Sequence, residues 1–161
     1  MGRHIYVHNP FCVRKCPYCD FYSITDRTLA EQYYEAASRE AVFWAGYDSR
    51  SGRRVGDGPD TIYFGGGTPS CVSEKLICTL LETVNDAFGI GPDAEITLEV
   101  NPASFTIEKG KAYLNSGFNR LSMGIQSLDD GVLKTLGRLH DGKGRAVPRP
   151  FPDCRAGRRR R

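Results

Sequence analysis

Apolar and polar positions along the chain switch from strand-like to helix-like spacing four times. Ile5, Tyr6 and Val7 form a β-branched and aromatic run that predicts a strand near His4–His8. A long loop follows, and a helix is expected from about Thr28. There Thr28 and Glu31 have the spacing of a capping box, in which each side chain satisfies a free backbone N–H. Leu29, Tyr33, Ala37, Ala41 and Trp44 would form its buried stripe. Residues 46–60, with four glycines and one proline, read as a surface loop. Thr61–Phe64 predicts a second strand that stops at Gly65, Gly66 and Gly67. Ser73 is the expected cap of a second helix, whose apolar positions are Leu76, Ile77, Leu80, Leu81, Val84, Ala87 and Phe88.

Glu95–Val100 predicts the third strand, closed by Asn101 and Pro102, and a short third helix covers about Ile107–Asn115, ending at Gly117. Arg120–Ile125 is the expected fourth strand, and Asp129 the cap of a fourth helix through Val132, Leu133 and Leu136, with Gly137 as its stop. Alternating strands and helices imply an α/β fold with a parallel sheet. In such sheets function gathers beyond the carboxyl ends of the strands.

After Lys143 the alternation stops. Pro148, Pro150 and Pro152 exclude a helix from residues 144–161, and four arginines end the segment. A basic arm for nucleic acid or anionic lipid and a disordered tail are two readings. The favoured one is a frameshift product, because Arg, Pro, Gly and Ala dominate GC-rich DNA translated out of frame and the β/α pattern breaks off midway. The expected organisation is therefore an incomplete core over 1–143 and a tail over 144–161.

Charge sharpens this division. The 161 residues carry net charge +3, but residues 138–161 alone carry +7, leaving −4 on residues 1–137. The folded part offers no basic excess for nucleic acid, so that partner is not expected. Hydrophobic residues make up 40% of the chain, which suits a globular protein. No apolar run approaches the ~20 residues of a membrane span. No signal peptide is visible at the start, so a cytoplasmic location is expected.

Six cysteines are present, three of them as Cys12, Cys16 and Cys19 on one loop. That clustering suits metal-binding thiolates in a reducing compartment better than a disulfide framework. A structural zinc site wants four ligands, for which His4 or His8 would have to supply the fourth. A [4Fe–4S] cluster normally takes four cysteines, so three would leave one iron open for a small molecule. Cys71 and Cys78, seven residues apart, read as small apolar side chains near one helical face, and Cys154 falls in the tail. The glycine run after the second strand matches neither the phosphate-binding loop nor the dinucleotide fingerprint. It reads either as a tight turn or as a place where backbone approaches a ligand. Glu99, in an apolar strand segment, is either a solvated-face acid or a carboxylate with a partner.

The stretch from Tyr6 through His8, Cys12, Cys16, Tyr18 and Cys19 to Phe21 resembles the cluster loop of radical S-adenosylmethionine (SAM) proteins. Within them it is similar to the group of oxygen-independent coproporphyrinogen III oxidases and haem chaperones. The resemblance continues through Tyr63–Ser70, Glu95–Pro102, Arg120–Ser127 and Leu136–Asp141, spanning residues 4–141. It implies a partial (β/α) barrel of six units, of which this chain would supply about four, so the chain by itself is expected to be inactive. It implies a [4Fe–4S] cluster on Cys12, Cys16 and Cys19, whose open iron is chelated by SAM. It further implies SAM contacts from Gly66, Gly67, Thr68, Glu99, Gln126 and Arg138, with Tyr6 and Tyr18 flanking nucleoside and cluster. The plainer readings are aromatic packing for the tyrosines and a helix-terminal charge for Arg138. The oxidases resemble a pattern with a further cysteine two residues after the third, and here that place is Phe21. The haem-chaperone branch is therefore expected, with haem or porphyrin as partner and flavodoxin or ferredoxin as electron donor. Coproporphyrinogen oxidation is the alternative, and RNA-directed chemistry a further one.

Overall fold

The structure, a computed structural model, describes residues 3–50 and 58–142, and the side chains up to Tyr47 in the first segment. The expected tail over 144–161 lies outside the described residues. Four strands, β1 (His4–Asn9), β2 (Thr61–Gly66), β3 (Glu95–Val100) and β4 (Arg120–Met123), form one sheet in the order β1-β2-β3-β4. Every neighbouring pair is parallel. Four helices alternate with them: α1 (Ala30–Arg50), α2 (Glu74–Phe88), α3 (Ile107–Asn115) and α4 (Asp130–Thr135). Among the described residues the sheet is open, in keeping with the expected partial barrel.

The strands are two-faced because successive side chains point to opposite sides. On one face Ile62, Phe64, Ile96, Leu98 and Val100 are buried under Tyr34 of α1, the α2 stripe and Tyr113 of α3. On the other stand Tyr6, His8, Tyr63, Glu99 and Ser122, whose positions in the strand register alternate with the core residues. Ile77, Leu80, Leu81 and Val84 of α2 are buried as its periodicity predicts. Ser73 caps that helix by accepting from Lys75 N, and Asp129 caps α4 by accepting from Val132 N.

Several expectations about local structure are corrected. The capping box does not form: Thr28 donates its hydroxyl to Asp26 Oδ1 at 2.7 Å, and Asp26 also accepts from Thr28 N. This local turn satisfies the groups that a cap would use, and α1 begins at Ala30 instead. Leu29 and Trp44 are exposed, whereas the expected Tyr33, Ala37 and Ala41 pack against the core beside the buried Ala30 and Tyr34. The helix runs on to Arg50, into the first residues of the loop expected over 46–60. Side-chain pairs one turn apart support that extension despite Gly46: Trp44 Nε1 donates to Glu40 Oε1, and the Trp44 and Tyr47 rings meet edge to face. Strand β4 ends at Met123, so Gln126 lies three residues past it rather than at its end. Cys71 sits in a 3-10 turn over Pro69–Cys71, ahead of the α2 cap, so it does not share a helical face with Cys78. Both still pack with the core.

Candidate functional site

The loop after β1 carries the three cysteines and is closed at its base. Cys12 N donates to Ile24 O and Ile24 N donates to Pro10 O, making an isolated parallel bridge between Phe11 and Ile24. Asn9, fully buried at the end of β1, anchors the entry. Its Nδ2 donates to Phe11 O at 2.9 Å, and its Oδ1 accepts from Tyr34 Oη at 3.1 Å. The glycine turn after β2 is stapled to this loop. Gly67 N donates to Asn9 O at 2.6 Å and Thr68 N donates to Phe11 O at 2.7 Å.

Glycine is required in this turn for two reasons. Gly66 has φ +106°, and a Cβ there would lie 2.6 Å from the His8 ring. A Cβ at Gly67 would lie 2.6 Å from Phe11 O and 3.1 Å from Cys12 Sγ. The turn is thus a cradle in which backbone is laid directly against the cysteine loop. Thr68 adds a side-chain contact, with Oγ1 3.5 Å from Cys12 Sγ.

Glu99, near the end of β3, is a partnered acid. Its Oε1 accepts from Tyr63 Oη at 2.6 Å and its Oε2 from Gly66 N at 3.2 Å. Burial raises the Tyr63 pKa, and its bond to Glu99 raises it further. Tyr6 stacks on Tyr63 with ring centres 6.1 Å apart, and its hydroxyl lies 3.2 Å from His8 Nδ1. Its pKa is also raised, by burial and then by the Glu99 charge.

Beyond β4 the backbone turns sharply, with Gln126 at φ 67°. Arg138, just after α4, reaches back across the site. Its Nη2 donates to Gly124 O at 2.6 Å, and its Nη1 to Tyr18 Oη at 3.1 Å and to Cys16 Sγ at 3.8 Å. Burial raises the Tyr18 pKa and the Arg138 charge opposes that rise.

These segments enclose a cavity of about 360 Å³ at the carboxyl ends of the strands. Cys12, Cys16, Cys19 and Tyr18 line one side of it. Gly66, Gly67, Thr68, Glu99, Gln126 and Arg138 line it as well, together with others that include Arg14 and Lys15. Tyr6 is the expected residue that the cavity leaves out. It faces a second space of about 420 Å³ along the free edge of β1, which is lined by Trp44 and Ala37 and contains no cysteine.

Cys12, Cys16 and Cys19 are free thiols on one loop. Among the described residues no three His, Cys, Asp or Glu side chains converge on a single ion. His4 Nδ1 pairs with Thr61 Oγ1 at the opposite end of the sheet from the cysteines. That position takes His4 out of reach as a fourth zinc ligand, while His8 stands beside the glycine turn with its Nε2 buried and unpartnered. Three thiols spread around an open cavity suit a multi-iron cluster, and the glycine cradle, Glu99 and Arg138 suit a zwitterionic ligand beside it. The buried and unpartnered Nε of Arg138 leaves a donor for such a ligand.

Sequence reasoning missed the supports of this site. Asn9 had a visible signal, since it stands on the face occupied by Ile5 and Val7. Tyr63 had none, because an aromatic residue in a strand is ordinary. The buried Ser70, which accepts from Asn101 N and pairs with Ser104 Oγ at 2.7 Å, also passed unnoticed.

The fold and the site define a class. The family profile of the radical SAM superfamily matches residues 6–145, and the chain belongs to that superfamily. It is 39% identical over 141 residues to the heme chaperone HemW of Haemophilus influenzae, covering 85% of this chain and 36% of that one. It is 38% identical to the Escherichia coli HemW over 84% of this chain and 35% of that one. It is 41% identical to the bovine mitochondrial radical S-adenosyl methionine domain-containing protein 1, over 86% of this chain and 30% of the relative. Among solved structures, the radical SAM enzyme coproporphyrinogen III oxidase (HemN) of Escherichia coli aligns with a TM-score of 0.75. That alignment has 29% identity and covers 87% of this chain and 31% of that one. The chain thus spans about a third of the length of these relatives. No helix among the described residues is long and apolar enough to cross a membrane.

Proposed function

We propose that this chain holds a [4Fe–4S] cluster on Cys12, Cys16 and Cys19, binds SAM beside it, and serves a haem chaperone of the cytoplasm. The observation that carries the reading is the single cavity shared by the three thiols, the glycine cradle, Glu99 and Arg138. When bound, the cluster and SAM supply one-electron chemistry that breaks a sulfonium carbon–sulfur bond.

The residues divide the work of binding. The cradle of Gly66, Gly67 and Thr68 offers close backbone approach for the amino end of SAM. Glu99, fixed by Tyr63 and Gly66, presents a carboxylate to the same ligand. Arg138 presents a cation suited to a carboxylate, Gln126 a polar amide, and Tyr18 an exposed ring over the cysteine loop. Tyr6 acts by stacking on Tyr63, one step behind the cavity.

The haem-chaperone reading rests on relatives of that name at 34–39% identity and on Phe21. Phe21 stands where the oxidase pattern has a further cysteine, and it lines the cavity. Haem or porphyrin is then the partner, and flavodoxin or ferredoxin the electron donor.

Anaerobic reconstitution tests the reading. About four irons per chain are expected, and Cys16→Ala should abolish the cluster. Retention of full iron by that variant, or one tightly held zinc per chain, would overturn the cluster assignment. In a protein extended to the full length of these relatives, haem binding without conversion of coproporphyrinogen is expected. SAM-dependent conversion of coproporphyrinogen would transfer the assignment to the oxidase.

A further inference from the structure

We infer that Arg138 sets the reduction potential of the cluster by donating a charged hydrogen bond to the Cys16 thiolate, an inference that rests on the cluster assignment above. Hydrogen bonds to the coordinating sulfurs are one of the levers that set iron–sulfur potentials. Groups just outside the ligand set commonly tune a metal in this way.

The geometry holds Arg138 to this task. Its Nη2 is fixed at 2.6 Å on the carbonyl O of Gly124, the first residue past β4. The other arm, Nη1, then reaches both Cys16 Sγ at 3.8 Å and Tyr18 Oη at 3.1 Å. The backbone brings it there. Arg138 N donates to Leu133 O, and Gly137 takes φ +66° to turn the chain back from α4. A Cβ at Gly137 would lie 3.1 Å from Pro17 Cδ, so this turn packs against the cysteine loop itself. Residues about 120 positions apart are thereby joined by a side chain whose charge cannot be removed by pH.

The electrostatic consequence has a fixed sign. Reduction adds one electron, delivered by a one-electron donor, and makes the cluster and its thiolates more negative. A guanidinium bonded to one thiolate stabilises that added charge and raises the potential. The three thiolates are not equivalent in this respect. Cys12 has the neutral Thr68 hydroxyl at 3.5 Å, whereas Cys16 has the Arg138 guanidinium at 3.8 Å. The same bond draws the cysteine loop onto the end of the sheet, beside the cavity where the ligand would sit.

The test is a redox titration with dithionite, followed by electron paramagnetic resonance, on the reconstituted full chain without SAM. Arg138→Gln is expected to keep its iron and to lower the ratio of reduced to oxidised cluster at fixed potential about tenfold, or 59 mV for one electron. Arg138→Lys, which keeps the charge but not the fork, should fall between the two. An unchanged potential in Arg138→Gln would overturn the inference while leaving the cluster assignment standing. Failure of the parent chain to hold iron would overturn the assignment itself. A measurement on loaded chain without an Arg138 substitution covers the case in which neither variant retains iron. With ¹⁵N-arginine incorporated in an Arg14→Lys background, a nitrogen coupling to the reduced cluster is expected, and its absence would overturn the inference.

Discussion

Replacing Asn9 by alanine tests whether the cysteine loop is built on a buried polar anchor. The side chain is fully buried and makes two hydrogen bonds, one to Phe11 O and one from Tyr34 Oη. Phe11 O keeps a second donor, Thr68 N, so its loss is modest. The Tyr34 hydroxyl is different, since Tyr34 is only 2% exposed and would be left without its Asn9 acceptor. Two lost bonds at about 1 kcal/mol each, and the penalty of the stranded hydroxyl, give about 3 kcal/mol. For a chain of this size that corresponds to a fall in Tm of about 6–12 °C. A double-mutant cycle isolates the cause. Tyr34→Phe removes the stranded group, so the double variant should cost less than the sum of the single ones by about 1 kcal/mol. Thermal melts followed by circular dichroism on the four proteins supply the comparison. A Tm change below 2 °C for Asn9→Ala, or additive effects of the two substitutions, would refute the reasoning.

Two other predictions probe the site from different sides. Gly67→Ala forces a Cβ to within 2.6 Å of Phe11 O, so iron loading of the reconstituted chain should fall by more than half. Gly91→Ala, whose Cβ meets nothing within 4 Å, should load normally, and equal loading of both variants would contradict the cradle. Burial pushes the Cys71 thiol up to about 11, and Cys71 is 8% exposed, so it should resist alkylation at pH 8. About one thiol in a thousand is ionised there, since the thiolate is the reactive form. In metal-free protein, peptide mapping after brief iodoacetamide treatment should show Cys19 modified well before Cys71, and the reverse order would contradict the burial.

Strand and helix order were legible because burial on one face imposes a period that the residues obey. Ile62, Phe64, Ile96 and Leu98 alternate with polar neighbours, and Ile77, Leu80, Leu81 and Val84 repeat each turn. The caps Ser73 and Asp129 were legible because a side-chain oxygen before an apolar run has a local partner. Thr28 misled for the same reason: Asp26, two residues earlier, competed for its hydroxyl and won. The extent of α1 was hidden because ring contacts from Trp44 outweighed the cost of Gly46. The cysteines, the glycine turn and Glu99 stood out as residue types whose burial or spacing needs a reason, whereas Arg138 was marked only by the family resemblance. The pairings that hold them did not. Tyr63 with Glu99, and Arg138 with Cys16, join segments 36 and 122 positions apart, and no local pattern records such contacts.

The sheet explains why so much of the chemistry falls on one side. A parallel sheet needs both faces covered, yet α1, α2 and α3 cover the apolar one. The opposite face keeps Tyr6, which is 57% exposed, next to Tyr63 and close to Glu99. A surface of this composition is costly to bury against a helix, since its hydroxyls and carboxylates would need new partners. It is well suited to line a polar interior reached from the strand ends. The segments around the cavity lie at the carboxyl ends of the four strands, with Arg138 reaching in from beyond α4, and each is tied to a neighbour rather than left alone. Gly67 and Thr68 bind the loop after β1, Gly66 binds Glu99 of β3, and Arg138 binds both Gly124 and Cys16. Displacing one segment therefore displaces the next. These ties bring residues far apart in sequence together around one small volume.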